Sequence, residues 1–186
     1  DGSYAILLQR GTTINGNFTI GGNVALQPTI IGVGDKSSAN TAVELDGNIQ
    51  GNLVFDTRAA VTSIGKAARG VVLLGNLTPC LDNAGLGYTC GTASPVAGGA
   101  ALGNVGAFVN AGAISSTGTT IIKSQGGNNE GGIALTIGGS IDGGFVNSGP
   151  STANVSTPAA TITGNGYAPV MVVDPSTNLT TATSVI

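Results

Sequence analysis

The chain has 186 residues, 32 of them Gly, with six Lys or Arg against nine Asp or Glu and a formal net charge of −3. It contains no His, so imidazole acid–base catalysis, a His-containing triad and a His metal ligand are all excluded, and six scattered cations make no patch for nucleic acid. Gly is well above its usual share of about 7% and charge well below, yet 41% of residues are hydrophobic and mean hydropathy is +0.33, which argues for a buried core and against disorder.

In chain order the apolar residues come in short runs bounded by Gly and Asn, the pattern of strands. Ala5-Ile-Leu-Leu8 opens the series, followed by Ile14-Asn-Gly-Asn-Phe18. A polar break at residues 36–40 precedes Thr41-Ala-Val-Glu-Leu45 and Ile49-Gln-Gly-Asn-Leu53. Residues 58–69 form the best helical window, worth one or two turns, because Gly65 and its flanks oppose more. Val71-Val-Leu-Leu74 is strand-sized, as is every apolar run; none reaches the 18 or so residues of a membrane-spanning helix.

Residues 78–99 form the longest Gly/Ser/Asn/Pro-rich break and carry the only two cysteines, Cys80 and Cys90. Their spacing is not C-x-x-C and no other soft ligand exists, so a disulfide closing a surface loop is favoured over a metal or redox pair. A disulfide implies maturation in an oxidising compartment. Beyond it lie Gly106-Ala-Phe-Val109, a break at 124–130, Ile133-Ala-Leu-Thr-Ile137, Ile141-Asp-Gly-Gly-Phe145, a break at 148–158 and Val170-Met-Val-Val173. The first residue is Asp1, with no basic or apolar leader, and the last run, Thr183-Ser-Val-Ile186, is strand-like. The chain is therefore read as a mature product or as a fragment of a longer one.

These runs repeat. I-x-G-x-[LF] occurs at Ile14, Ile49 and Ile141; G-x-[FL]-V occurs at Gly51, Gly106 and Gly143; a small residue followed by alternating apolars occurs at Ala42, Gly70 and Gly132. Phe108-Val-Asn-Ala-Gly112 and Phe145-Val-Asn-Ser-Gly149 are nearly identical. Short strands with Gly and Asn corners, repeated with insertions, predict one all-β segment spanning residues 1–186, a right-handed parallel β-helix whose coils stack at about 4.8 Å. An antiparallel sandwich would need hairpin dipeptides at regular spacing, and Asn-Gly occurs only at Asn15 and Asn165.

The runs Thr41-Ala-Val-Glu-Leu-Asp-Gly-Asn-Ile-Gln-Gly51, Gly106-Ala-Phe-Val-Asn-Ala-Gly-Ala-Ile114 and Gly139-Ser-Ile-Asp-Gly-Gly-Phe-Val-Asn-Ser-Gly149 resemble the β-helical passenger regions of bacterial autotransporters, in the style of large Gly/Ala-rich surface proteins of alphaproteobacteria. The resemblance implies export, outer-membrane anchoring through a separate C-terminal barrel, and display of the solenoid as an adhesin, biofilm component or stalk. The chain departs from that pattern in having no barrel, no signal peptide and a cysteine-closed loop.

Candidate chemistry is sparse. Asp46, Asp56 and Asp142 fall near equivalent repeat positions and could stack as a row of the kind β-helical lyases use; the plainer reading is turn-forming or strand-edge Asp, since a catalytic pair would need basic partners that the chain lacks nearby. Gly138-Gly-Ser-Ile-Asp142 is a single degenerate match to a calcium-binding β-roll motif. The Thr pairs at 12–13, 119–120 and 180–181 read as β-propensity. The four N-x-[ST] sequons at Asn17, Asn76, Asn154 and Asn178 are about as many as chance supplies. The four Phe fall mostly at inward repeat positions. No catalytic, cofactor or metal residue is assigned. The resulting expectation is a non-enzymatic extracellular or cell-surface structural protein. Its partners would be copies of itself, neighbouring surface proteins or glycans, with neither nucleic acid nor membrane insertion by this segment. The rivals are a surface-layer or filament subunit and a carbohydrate-active or carbohydrate-binding β-helix.

Overall fold

The computed structural model describes residues 3–26, 40–65, 68–82, 90, 103–118, 132–147, 160–165 and 168–173. Among them every regular element is a β-strand and every strand pairing is parallel. The strands form four open sheets. Sheet A runs β1 (Ser3–Leu8), β5 (Asn40–Leu45), β9 (Arg69–Leu73), β13 (Ile133–Ile137), β16 (Met171–Val173). Sheet B holds β2 (Thr13–Asn15), β6 (Asn48–Gln50) and β10 (Leu77–Thr78), prolonged by a parallel bridge from Leu77 to Ile141. Sheet C holds β3 (Phe18–Ile20), β7 (Leu53–Phe55), β11 (Phe108–Asn110) and β14 (Phe145–Asn147). Sheet D holds β4 (Asn23–Leu26), β8 (Ala60–Gly65), β12 (Ala113–Gly118) and β15 (Thr161–Asn165).

The chain therefore passes through A, B, C and D in the same order four times and enters A a fifth. This is the behaviour of a stack of rounds, consistent with a β-solenoid. The repeats seen in the sequence are the stacking columns. Ile14, Ile49, Leu77 and Ile141 lie in register in sheet B. Phe18, Leu53, Phe108 and Phe145 lie in register in sheet C. The five apolar runs at residues 5–8, 41–45, 71–74, 133–137 and 170–173 fall on the five strands of sheet A.

The main core fills the space between the sheets, and among the described residues a second, smaller cluster joins Val54, Ala107 and Val109, with Val146 packed against it. Val43, Leu45, Ile49, Leu53, Phe55 and Val61 of the second round are wholly buried, as are Val71, Leu73, Leu77, Phe108 and Ile114 of the third. Each burial contributes roughly 1.5–3 kcal/mol relative to exposure. Along β8 the alternation is strict: Val61, Ser63 and Gly65 are buried while Ala60, Thr62 and Ile64 are half-buried on the outside. The inward hydroxyls are satisfied across the corner into sheet A, Ser63 donating to the Asn40 carbonyl at 3.0 Å and Ser116 to the Ala68 carbonyl at 2.8 Å. The inward Phe placement holds: Phe55 and Phe108 are fully buried, and Phe18 and Phe145 pack on the same cluster. Phe108 sits between two rings, with centroids 5.5 Å from Phe55 and 5.0 Å from Phe145.

Glycine is required at two kinds of corner. Between sheets A and B, Gly47, Gly75 and Gly139 stack so closely that a Cβ on Gly75 would run into the Gly47 carbonyl, and one on Gly139 into the Gly75 carbonyl. Between B and C, Gly16, Gly51 and Gly106 adopt φ of +104°, +150° and +77°, where side chains are strained.

Two sequence expectations are corrected. The helical window at 58–69 contains strand β8 instead; pairing with β4 and β12 overrides a weak local helical preference. The third small-then-apolar copy is offset: Val43 and Val71 register with Leu135, so Ala42 and Gly70 correspond to Ala134 and not to Gly132. The breaks at 124–130 and 148–158, residues 36–39 of the break at 36–40, and residues 183–186 lie outside the described residues; of 78–99 only 78–82 and 90 lie within them.

Candidate functional site

The three aspartates that sequence reasoning grouped are dispersed to three different corners. Asp46 follows β5 at the A-to-B corner, Asp56 follows β7 at the C-to-D corner, and Asp142 follows the Ile141 bridge at the B-to-C corner. Each shares its column with uncharged residues. Asp46 stands one residue past the registered Leu8, Leu45 and Leu73, in line with Gln9 and Leu74. Asp142 follows Ile141 as Thr78 follows Leu77, and that column continues to Gln50 and Asn15. A carboxylate row does not form, because equivalent motif position and equivalent stacking position are different things when each round turns four corners.

The acids differ in their surroundings. Against the expectation that no basic partner lies near these acids, Asp56 pairs with Arg58: it accepts the Arg58 backbone N–H at 2.7 Å through Oδ1 and the Arg58 guanidinium at 2.8 Å through Oδ2, closing the turn before β8. Burial works to raise its pKa, but the side-chain and backbone hydrogen bonds from Arg58 outweigh that and hold it below the usual carboxylate range. Glu44, on the outer face of sheet A, is pushed up by burial and by the neighbouring Asp46, against Arg69 and a hydrogen bond with Thr41. Asp46 is likewise raised by burial, opposed by Arg10, and its Oδ1 is buried without a hydrogen-bond partner. Glu44 and Asp46 thus form a partly desolvated acidic pair. Among the described residues no cluster of three or more His, Cys, Asp or Glu could hold a metal ion.

Residues 138–142, the calcium-like match, are an ordinary corner. The Gly138 and Gly139 N–H groups both donate to the Leu73 carbonyl, and the Ser140 N–H donates to Asn76 Oδ1 at 3.0 Å. Thr12 donates its hydroxyl to the Gln9 carbonyl at 2.6 Å, a local turn contact; the other two Thr pairs lie outside the described residues. Cys80 and Cys90 are joined as a disulfide with Cα atoms 5.8 Å apart, as the sequence reading favoured. The Cys90 N–H donates to the Asp82 carboxylate at 2.6 Å.

The feature sequence reasoning missed is a pair of asparagine ladders at the corners. At B-to-C, Asn17 Oδ1 accepts the Asn52 N–H at 2.9 Å, and Asn52 Oδ1 accepts the Ala107 N–H at 2.9 Å. At A-to-B, Asn48 Oδ1 accepts the Asn76 N–H and Asn76 Oδ1 accepts the Ser140 N–H, each at 3.0 Å. Each amide thereby carries the backbone pairing of the sheets across a corner. The signal was present as Gly47-Asn-Ile49, Gly75-Asn-Leu77 and Gly139-Ser-Ile141, a third repeat running beside the others. The sequons at Asn17 and Asn76 belong to these ladders; those at Asn154 and Asn178 lie outside the described residues.

Sheet D turns a row of hydroxyls to its outer face. Thr62, Ser115 and Thr163 lie in register there, with Ala60 and Ala113 beside them, and the Ser115 hydroxyl contacts Thr62 Oγ1 at 3.2 Å. The described outward residues of these strands carry no charge. Comparison of the chain with protein-family models, with curated proteins and with solved structures returns no match.

Proposed function

We propose that this chain is a non-enzymatic, extracellular structural segment: a right-handed parallel β-helix of the autotransporter-passenger type, displayed at a bacterial cell surface for adhesion or as matrix. The observation that carries this reading is the repeated A-B-C-D passage with in-register columns, because stacked rounds produce a stiff rod whose backbone is paired with neighbours along its length. Of the side chains nearest to chemistry, those of Asp56, Asn48, Asn52 and Asn76 make hydrogen bonds that serve corners, and Asp46 and Asp142 stand at corners and donate their backbone N–H groups there. The disulfide supports an oxidising destination.

The test is accessibility on intact cells that make the full-length native protein. An antibody against the described rounds should label unpermeabilised cells, and external protease should remove the epitope. Labelling that appears only after lysis would overturn the surface reading.

A second reading, a surface-layer or filament subunit, is favoured by one observation. Inward residues of the middle rounds are fully buried, whereas Ile6, Ile14, Phe18 and Val24 of the first round and Phe145, Ile162 and Met171 near the other end are only half-buried. Further rounds or a second copy would bury them. Concentration-dependent sedimentation together with electron microscopy of the native material separates an ordered polymer from single rods.

A further inference from the structure

We propose that residues 79–105 are a separable module grafted onto one corner of the rod, and that the stack of rounds is complete without them. The proposal rests on the rod reading above and identifies where the rod carries sequence that its coil does not need. The hydrogen-bond ladder at the B-to-C corner runs on across the gap in the chain. Between the first and second rounds, the Gly16 N–H donates to the Gln50 carbonyl at 2.8 Å and the Phe18 N–H to the Asn52 carbonyl at 2.9 Å. The acceptors are two positions apart, with Gly51 between them. One round on, the Gly51 N–H donates to the Thr78 carbonyl at 2.8 Å and the Leu53 N–H to the Ala107 carbonyl at 2.9 Å. Thr78 and Ala107 therefore occupy the places of Gln50 and Asn52, although residues 79–106 separate them in the chain.

Gly106 fills the place between. It has φ of +77° where Gly51 and Gly16 are also positive, and a Cβ on it would lie 2.7 Å from the Thr78 carbonyl carbon. The asparagine ladder crosses the same point undisturbed, since Ala107 donates to Asn52 Oδ1 as Asn52 donates to Asn17 Oδ1. Joining Thr78 directly to Gly106 would write Leu77-Thr78-Gly106-Ala107-Phe108. That is the I-x-G-x-[LF] pattern of the other three rounds, with Leu for Ile.

The module has its own closure. Cys80 is bonded to Cys90, and the Cys80 N–H donates to the Asn104 carbonyl at 3.0 Å, drawing its two ends together. The described side-chain hydrogen bond from the stack to it is Asn52 Nδ2 to the Gly103 carbonyl at 2.9 Å. Its only charged residue is Asp82, and Leu81 beside the disulfide is 76% exposed. An insert with a single charged residue, tied at its described ends and set at a corner whose ladder positions are filled without it, is an element carried for presentation, and the corner is a port at which the rod can hold other sequences.

The experiment compares the parent with two deletions. Removing 79–105 should leave a soluble chain with the parent's β-type circular dichroism and a thermal midpoint within about 5 °C of the parent's. Removing 79–106 takes the corner glycine as well and slips the following strand by one residue, turning its side chains to the opposite face; this variant should be insoluble or melt far lower. If the 79–105 deletion unfolds, or if both deletions behave alike, the proposal is wrong. Hydrogen exchange on the parent separates this from failure of the rod itself. Slow exchange at Gly51 and Leu53 with an unfolded 79–105 deletion would refute the module alone, whereas fast exchange there would remove the ladder on which both readings stand.

Discussion

The asparagine ladders permit a controlled test of corner energetics, because the same contact occurs at a buried and at an exposed position. Asn52 is fully buried; its Oδ1 takes the N–H of Ala107, itself 1% exposed, and its Nδ2 donates to the Gly103 carbonyl. Substituting Ala leaves the Ala107 N–H buried without a partner, which costs about 1–3 kcal/mol, and removes a second hydrogen bond worth about 0.5–1.5 kcal/mol. Asn52→Ala should therefore lose about 2–4 kcal/mol. Asn48 makes the equivalent contact with the Asn76 N–H, but it is exposed and Asn76 half-buried. Water can replace the lost oxygen there, so Asn48→Ala should lose less than about 1 kcal/mol. Asn52→Asp keeps the acceptor for Ala107 but sets a carboxylate oxygen against the Gly103 carbonyl, so it should fall near Asn52→Ala at neutral pH and recover on acidification. The assay is urea unfolding followed by circular dichroism, with the slope checked so that midpoint shifts can be read as free energies. Equal losses for Asn52→Ala and Asn48→Ala would refute the claim that burial, rather than the ladder contact as such, sets the magnitude.

Three further outcomes rest on the packing and charge of the same rounds. Gly75→Ala drives a methyl into the Gly47 carbonyl and should cost more than about 3 kcal/mol, whereas Gly22→Ala, with nothing within 4 Å of the new Cβ, should be neutral or stabilise by up to about 1 kcal/mol; paired thermal melts decide. Phe108→Ala removes a buried ring that stacks on Phe145 and lies tilted against Phe55 and should cost about 3–5 kcal/mol, against a smaller loss for the half-buried Phe18→Ala, measured by the same unfolding curves. For pH, Glu44 has a folded-state pKa raised above its ordinary 4.5 by burial first and Asp46 second, so the folded state favours the protonated acid. Its contribution is present below the unfolded pKa and is lost as pH rises through the folded one. Stability of the parent should therefore decline on raising the pH from about 4 upward relative to Glu44→Gln; a wild-type profile parallel to that of the variant would sink this assignment.

How much was legible beforehand depends on which neighbour a residue answers to. Columns such as Ile14–Ile49 and Phe108–Phe145 were readable because identical motifs stack and repetition survives without knowledge of the path between them. The offset at Gly132 was not readable: a two-residue slip preserves the alternation of faces, so only the pairing of Leu135 with Val71 reveals it. Residues 58–69 misled for a related reason. Val61 is held in register with Val24 and Ile114, partners tens of residues away that no local window contains. The aspartates could not be placed because Asp46, Asp56 and Asp142 sit beside glycine or polar residues at three different corner types alike, and the ladders are hidden because Asn reads as a turn former when it is also a rung.

The same columns account for the scarcity of charge. Registered positions in successive rounds lie about 4.8 Å apart, so a motif that repeats a carboxylate would stack like charges at that distance. Each neighbouring pair would then cost about 1 kcal/mol in bulk water and about 3–4 kcal/mol at an effective dielectric of 20. An amide escapes the penalty. Its oxygen accepts the N–H of the next round as Asn17, Asn48, Asn52 and Asn76 do, and it can recur without repulsion. Asp46 is tolerated between uncharged neighbours, Gln9 on one side and Leu74 on the other, and Asp142 ends a described column that runs on through the uncharged Thr78, Gln50 and Asn15. A stack of rounds thus selects asparagine over aspartate at recurring corners and glycine where carbonyls touch. The composition of 32 Gly with 15 charged residues (six basic, nine acidic) is what that selection leaves.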